Sequence, residues 1–217
     1  EGRNGFMLNP LRPPVDITII DYGMGNIGSL ENMVEKVGGK ARVAKRKEEL
    51  LSASKFILPG VGSFDNGMKR LNELGFSEIL RQKVLVEKTP ILAICLGMQL
   101  LAKSSEEGLL PGLGFVDAAT KRFPPTPGFR VPHMGWNEVM VKKESPLFSG
   151  MYEDACFYFV HSYYVSCNEP SDILTTTSYG IDFVSSFQKA NIFATQCHPE
   201  KSHKYGKKLM QNFVEMP

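Results

Sequence analysis

One of four cysteines, Cys95, stands where an apolar run ends and a helical pattern begins. The run Ile91–Ile94 predicts a buried strand, and Gly97 allows close backbone approach at the corner that follows. A thiol at such a corner lies above the sheet, among backbone N–H groups of the next helix. These groups favour the thiolate and can hold a developing oxyanion. We therefore predict that Cys95 is a nucleophile rather than a small buried side chain.

A histidine and a glutamate follow a second apolar run, about a hundred residues further along the chain. Because strand side chains repeat with a period of two, His198 and Glu200 are expected to point the same way. His198 would exchange a proton with Cys95, and Glu200 would orient the imidazole. Cys197 would point to the opposite face and pack there. This spacing predicts a Cys-His-Glu site for acyl transfer.

A glycine-rich turn, Gly23-x-Gly25-x-x-Gly28, has the spacing of a dinucleotide-binding fingerprint. That fingerprint requires an acidic residue at the end of the second strand, where this chain has Lys45-Arg46. A 2′-phosphate would suit these two cations, but a turn that only needs tight packing is the favoured interpretation. Cys156 and Cys167 have no Cys or His at ligand spacing, so no zinc site is expected.

The composition limits the classes of protein that the chain can represent. With 217 residues and 42% hydrophobic content, we predict a single domain over residues 15–217. The net charge of +2 does not favour binding to nucleic acid or to a membrane surface. Four cysteines without paired spacing favour the reducing cytoplasm. Residues 1–14 are interpreted as a flexible N-terminal segment, in part vector-derived, with Met7 as a candidate native start.

Strands and helices alternate in the first half of the chain, which predicts an α/β fold with a parallel sheet flanked by helices. The predicted strands there cover 16–21, 40–44, 55–58 and 90–95, and the predicted helices cover 27–37, 64–74 and 77–87. After about residue 108, short runs separated by Pro and Gly predict an antiparallel extension. Its strands cover 114–118, 136–141, 157–160, 163–166, 173–178, 183–188 and 192–196, before a last helix over 204–215.

Two interpretations remain open for Pro132–Asn137, a predicted loop that carries the only tryptophan, Trp136. It is either a packed turn or a contact for a partner or ligand, and the residues alone favour neither. The neighbouring aromatic run Phe157–Tyr164 contains His161, which is interpreted as a histidine that satisfies a strand end.

Taken together, these residues resemble the class I, triad-type glutamine amidotransferases, and more closely the glutaminase subunits of imidazole glycerol phosphate synthase. The resemblance covers residues 17–215, and Cys197 departs from it because an aromatic residue is expected there. Its motifs are Asp21-Tyr-Gly-Met-Gly-Asn26, Leu58-Pro-Gly-Val-Gly62, Ile94-Cys-Leu-Gly-Met-Gln-Leu-Leu101, Ser104-Ser-Glu-Glu-Gly108, Pro132–Asn137, Tyr158-Phe-Val-His-Ser-Tyr163 and Gln196–Ser202. It implies a flavodoxin-like, mostly parallel sheet with an antiparallel extension.

The resemblance also implies a mechanism in which Cys95 attacks the side-chain amide of glutamine, releases ammonia and forms a glutamyl thioester. It assigns the oxyanion hole to the N–H of Leu96 and to a backbone N–H of the Gly60-Val61 strand. The glycine-flanked peptide in this strand can rotate between two orientations at low cost. Glutamine recognition is assigned to Gly62, Gln99, Glu107, Ser162 and Tyr163. No metal or organic cofactor is implied.

The implied partner is a (β/α)8-barrel cyclase subunit, which forms a heterodimer with the glutaminase and receives ammonia through its interior. Together the two would make imidazole glycerol phosphate and AICAR in histidine biosynthesis, and Trp136 is the candidate interface residue. A paralogous amidotransferase that supplies another acceptor, such as a sugar-modifying enzyme, would keep the same residues. The remaining alternatives are a cysteine hydrolase of another type and a catalytically silent docking subunit.

Overall fold

The computed structural model describes residues 15–217, so the interpretation of residues 1–14 lies outside the described part of the chain. The strands are β1 (Asp16–Ile20), β2 (Lys40–Ala44), β3 (Phe56–Leu58), β4 (Ile91–Ile94), β5 (Ser104–Ser105), β6 (Ala118–Arg122), β7 (His133–Glu138), β8 (Met140–Val141), β9 (Cys156–His161), β10 (Tyr163–Cys167), β11 (Ile173–Tyr179), β12 (Ile181–Lys189) and β13 (Ile192–Thr195). The α-helices are α1 (Ile27–Lys36), α2 (Lys47–Leu51), α3 (Phe64–Glu73), α4 (Phe76–Leu80), α5 (Leu96–Leu100) and α6 (His203–Glu215).

Most of the strands belong to one mixed sheet of 11 strands, in the order β2-β1-β3-β4-β13-β12-β10-β6-β5, with β11 and β8 attached to β12. The part from β2 to β13 is parallel, and antiparallel pairing begins between β13 and β12. β7 and β9 form a separate antiparallel pair. The predicted parallel sheet with an antiparallel extension is therefore confirmed.

The parallel strands are buried because helices cover both faces of the sheet. Along β4, Ile91 and Ala93 pack on the face that carries α2 to α5, whereas Leu92 and Ile94 pack on the face that carries α1 and α6. All residues of β3, β4 and β13 are buried, as expected for parallel strands between two helical layers. Each fully buried Leu or Ile side chain contributes about 1.5–3 kcal/mol to the stability of this core.

Three sequence predictions about elements were wrong in position. The apolar run predicted as a strand over 114–118 packs its side chains without strand pairing, and β6 begins only at Ala118. The predicted loop at Pro132–Asn137 lies mostly in β7, whose residues alternate between buried and more exposed positions. The helix predicted over 77–87 is α4 followed by a π-helical turn, Arg81–Val86. Among residues 15–217, no helix is long and apolar enough to span a membrane.

Candidate active site

Cys95 lies at the sharp corner between β4 and α5. Its backbone has φ 54° and ψ −112°, a strained conformation that raises the side chain above the sheet edge. Its N–H donates to the carbonyl of Thr195 on the neighbouring strand at 2.8 Å. A Cβ atom at Gly97 would lie 2.1 Å from the carbonyl oxygen of Leu58, so the corner needs glycine there for close backbone approach.

His198 and Glu200 reach the same edge because β13 pairs in parallel with β4 and aligns Thr195 with Ile94. The two side chains form a contact of 2.8 Å between His198 Nδ1 and Glu200 Oε1. The predicted placement of both residues on a strand was wrong, because β13 ends at Thr195. A 3-10 turn, Pro199–Lys201, brings the carboxylate back to the imidazole.

The charge state of His198 follows from its neighbours. Burial by itself lowers the pKa of this imidazole, but contact with the Cys95 thiol and with the Glu200 carboxylate outweighs it and raises the pKa to about 10. Glu200 engages Nδ1, and Nε2 has no hydrogen-bond partner of conventional geometry within residues 15–217. Nε2 is thus left for the cysteine and for the reacting atoms of a substrate.

A cavity of 380 Å³ opens beside these groups and brings together most of the predicted site residues. Its walls include Val61, Gly62, Cys95, Leu96, Gln99, Glu107, Ser162, Tyr163 and His198, together with His161 and Lys201. Among the other predicted site residues, Glu200 lies behind His198, and Gly60 and Trp136 do not line the cavity. The space is of the size that proteins use for small-molecule ligands.

The predicted oxyanion hole is not assembled in this structure. The N–H of Leu96 donates to the carbonyl of Gly60 at 3.3 Å. Because a trans peptide points its N–H opposite to its carbonyl, the N–H of Val61 in the same peptide faces away from Leu96. Rotation of this one peptide would release the Leu96 N–H and present a second donor, so the residues are in place for a hole in another orientation.

Glu107 and the loop that follows it are fixed by the start of α3. Glu107 Oε2 accepts from the N–H of Phe64 at 2.9 Å, and the carboxylate of Asp65 accepts from the N–H groups of Leu109 and Leu110, each at 3.0 Å. Asp65 was missed in the sequence, where it stands only as a first-turn acidic residue of a helix. The contacts hold one carboxylate at the cavity wall without consuming its second oxygen.

Two glutamine side chains connect the cavity wall to the thiol. Gln99 Nε2 lies 3.1 Å from the carbonyl of Tyr163 and 3.1 Å from Gln196 Oε1. Gln196 Nε2 lies 3.6 Å from the Cys95 sulfur. Sequence reasoning gave Gln196 no role, although it occupies the position two residues before His198 and would share its strand face.

A second polar chain, made of two histidines, also ends at the Tyr163 carbonyl. His161 Nδ1 lies 2.8 Å from that oxygen, His161 Nε2 lies 3.0 Å from His133 Nδ1, and His133 Nε2 lies 3.2 Å from Asn137 Nδ2. A carbonyl only accepts, so His161 must carry its proton on Nδ1 and His133 must do the same. Burial lowers the pKa of His161 to about 3 and that of His133 to about 4, so both rings are neutral.

Trp136 lies on β7 outside the cavity, with 46% of its surface exposed. Its ring stacks on His203 with centroids 5.3 Å apart and packs edge-on against Tyr158. Met134, two residues earlier on the same strand, is also exposed. The open question about Pro132–Asn137 therefore has two parts in the structure, because His133 and Asn137 pack inward while Met134 and Trp136 face outward.

Comparison with known proteins gives the same family as the motifs. The family model described as Glutamine amidotransferase class-I matches residues 18–216. The chain is 54% identical over 199 residues to the imidazole glycerol phosphate synthase subunit HisH 2 of Methanococcus maripaludis, covering 92% of this chain and 98% of that protein. It is 46% identical to the subunit of the same name from Pseudomonas aeruginosa, covering 92% and 99%.

Solved structures share the fold at lower sequence identity. A putative GMP synthase protein from Thermoplasma acidophilum has a TM-score of 0.70 at 21% identity, covering 94% of each chain. PurLQS from Thermotoga maritima has a TM-score of 0.71 at 16% identity, covering 93% of this chain and 98% of that one. The resemblance seen in the sequence motifs is confirmed by the family match: the chain belongs to the class-I glutamine amidotransferase family.

Proposed function

We propose that this protein is the glutaminase subunit of an imidazole glycerol phosphate synthase. It hydrolyses L-glutamine to glutamate and ammonia and passes the ammonia to a partner subunit. The observation that carries the proposal is the set Cys95, His198 and Glu200 at two adjacent strand ends beside a cavity of 380 Å³. The names of the relatives at 46% and 54% identity support the choice of pathway.

The reaction divides into two acyl transfers at Cys95. The thiolate attacks the carboxamide carbon of glutamine, and the imidazolium of His198 gives a proton to the departing ammonia. A glutamyl thioester remains on Sγ. The neutral imidazole then takes a proton from water, the resulting hydroxide displaces the thiolate, and glutamate leaves. Glu200 holds the ring in one tautomer and stabilises its charged form throughout.

Recognition of glutamine requires groups for its ammonium and its carboxylate. Glu107 has one carboxylate oxygen beyond the bond from Phe64, and this oxygen suits the α-ammonium. Gln99 uses both N–H donors within the protein, so its Oε1 remains as a second acceptor for the ammonium. The backbone and side chains of Gly62, Ser162 and Tyr163 supply donors to the α-carboxylate.

The Gly60-Val61 peptide makes the free chain a poor glutaminase. With its carbonyl against Leu96, the tetrahedral intermediate lacks both donors, and loss of even one donor costs about 10²–10³ in rate. A partner that binds its own substrate would switch the enzyme on if it favours the rotated peptide. Such a switch needs a difference in interaction energy between the two orientations. Ammonia would then form only when an acceptor is ready.

The partner is a (β/α)8-barrel cyclase that docks on the exposed apolar side chains around Trp136 and takes the ammonia through its interior. Val61, Val131 and Met134 are exposed as well. An apolar set of this kind is typical of a protein interface. Both proteins would act in the cytoplasm, where the histidine precursors are made.

The test measures glutamate release by the free chain, by its complex with the cyclase, and by the complex with the acceptor ligand. We expect little release from the free chain and full release only from the liganded complex. The Cys95→Ala variant should lose glutamine-dependent synthesis in the complex and keep ammonia-dependent synthesis. Near wild-type glutamate release by this variant would contradict the assigned nucleophile.

A second measurement decides the pathway. The protein is captured from its source cells and the co-purifying subunit is identified. A barrel cyclase that makes imidazole glycerol phosphate supports the proposal, whereas a sugar-modifying enzyme supports the paralogous alternative. Failure of any complex to release glutamate would favour the docking-only alternative.

A further inference from the structure

We infer that Gln196 is a positioning residue for the nucleophile, because its side-chain amide presents an N–H to the Cys95 sulfur and holds the thiolate at the cavity wall. The inference deepens the proposed function, on which the identity of the reaction rests. The geometry that carries it is the contact of 3.6 Å between Gln196 Nε2 and Cys95 Sγ, within a chain of amides that contains Gln99.

The direction of this hydrogen-bond chain follows from one backbone carbonyl. Oxygen and nitrogen of a side-chain amide look alike, so their assignment must come from their partners. The carbonyl of Tyr163 can only accept, so the Gln99 atom beside it must be Nε2. The second hydrogen of Nε2 points to Gln196, whose facing atom must therefore be Oε1.

Once Gln196 Oε1 accepts from Gln99, the other end of its amide is necessarily the nitrogen. That end faces the sulfur, so Cys95 receives a donor and not an acceptor. Gln196 has no exposed surface and Gln99 has 5%. Water therefore does not compete for these bonds, and the polarity is fixed by the protein alone.

A donor in this position acts twice in the reaction. It favours the thiolate before attack, and it favours the thiolate again when Cys95 leaves the thioester. His198 contacts the same sulfur but must release and regain its proton during each cycle. Gln196 does not ionise, so its N–H remains on the sulfur at every stage.

Other ionisable groups surround the thiol and must be considered with Gln196. Tyr22 and Cys197 lie close enough to interact electrostatically with Cys95, and both are fully buried. The further titratable groups that face the sulfur are Glu107, His161, Tyr163, His198 and Lys201, with Glu200 acting through His198. None of these is altered when Gln196 is replaced, so a change in thiol acidity can be assigned to the lost N–H.

The test is the pH dependence of alkylation of Cys95 by iodoacetamide in the complete chain, followed on the Cys95 peptide by mass spectrometry. Cys156 and Cys167 are partly exposed, so the reading must be specific to that peptide. Gln196→Met keeps the length of the side chain and removes the donor. We expect the midpoint of its alkylation profile to rise by about one pH unit, the size of a hydrogen bond to a charged group. Gln196→Glu should raise it further, because a carboxylate would face the thiolate.

Gln188→Met is the matched control, since this glutamine on β12 bonds only weakly to Ala190 and does not line the cavity. Its alkylation midpoint should equal that of the wild type. If the Gln196 variants fail to fold, Gln99→Glu replaces them: loss of the Gln99 donor lets the Gln196 amide turn its oxygen to the sulfur and raises the midpoint. An unchanged midpoint in folded Gln196→Met would overturn the inference.

Alkylation does not require turnover of glutamine, so this test is separable from that of the proposed function. A raised midpoint in a protein whose complex never releases glutamate would leave the positioning role standing and reject the glutaminase. Normal glutamate release with an unmoved midpoint would do the reverse.

Discussion

His198 and the pair His133–His161 are equally hidden from solvent, yet they hold opposite charge states. All three side chains have 6% or less of their surface exposed. The pKa of His198 is raised to about 10, whereas burial lowers that of His133 to about 4 and that of His161 to about 3. The difference lies in their partners, since His198 meets a thiol and a carboxylate while the other two meet an amide, a carbonyl and each other.

This comparison separates two uses of a buried imidazole. Burial removes the favourable hydration of the charged ring, and only an anionic neighbour restores it. His198 has such neighbours and can act as a general acid. His133 and His161 have none, so they serve as neutral links with fixed tautomers that hold the Tyr163 carbonyl at the cavity wall.

The largest effect should come from removing the charged imidazole. His198→Ala is expected to lower glutamine hydrolysis by the activated complex about 10²–10⁴-fold, the usual contribution of general acid–base catalysis. His161→Asn should cost less, because it disturbs the wall of the site rather than proton transfer. Initial rates of glutamate release measure both, and equal losses in folded variants would break the distinction between the two regions.

Removing the carboxylate that charges His198 should have the next largest effect. Glu200→Gln keeps the shape of the side chain but no longer stabilises the imidazolium, so the pKa of His198 should fall. Its rate loss should be smaller than that of His198→Ala by about a hundredfold, as for the orienting acid of a comparable triad. The ratio of the two rates and the position of the alkaline limb of the pH–rate profile test this assignment.

The two regions should also give opposite slopes in stability against pH. The lowered pKa values of His133 and His161 mean that the unfolded chain binds more protons, so stability falls as pH drops from about 6.5 towards 4. The raised pKa of His198 means that stability falls as pH rises from about 6.5 towards 10. Urea midpoints across this range should show both limbs.

Two variants assign these limbs to their residues. A His133→Leu, His161→Leu double variant should lose the acidic limb and keep the alkaline one. His198→Ala should do the opposite. If the double variant retains the full acidic limb, the neutral state inferred for the histidine pair is wrong.

The smallest effect extends the comparison to the cysteines. Cys197 is fully buried beside Thr195, at 2.9 Å from its hydroxyl, and burial raises the pKa of its thiol far above the ordinary value. It should stay protonated and unreactive. Cys197→Ala should leave glutamate release nearly unchanged and reduce the free energy of unfolding by about 1 kcal/mol, the usual cost of a small cavity. A loss comparable to that of Cys95→Ala would mean that the strand phase is reversed.

The sequence allowed the parallel half of the fold and the triad to be predicted, because both depend on local patterns. The thiol corner needs only an apolar run followed by Leu96-Gly97, and His198 and Glu200 need only their spacing. The contact between them was predicted for the wrong reason, since a 3-10 turn and not a strand brings them together. A short motif can thus identify residues while giving the wrong element.

Other features of the site could not be predicted from local patterns. The roles of Gln196 and Asp65 depend on partners 101 and 44 residues away in the chain. The orientation of the Gly60-Val61 peptide leaves no trace in the sequence, because a glycine-flanked peptide costs little to rotate. The strand predicted over 114–118 failed because apolar residues can pack through their side chains without joining a ladder.

The position of β13 in the sheet determines when the site can form during synthesis. This strand lies between β4 and β12, although 97 residues separate the end of β4 from the start of β13 in the chain. At about 5–20 residues per second, the ribosome needs roughly 5–20 s after releasing Cys95 before His198 emerges. Until then β4 has an unpaired edge and the thiol has no imidazole beside it, so the newborn chain carries an unarmed nucleophile.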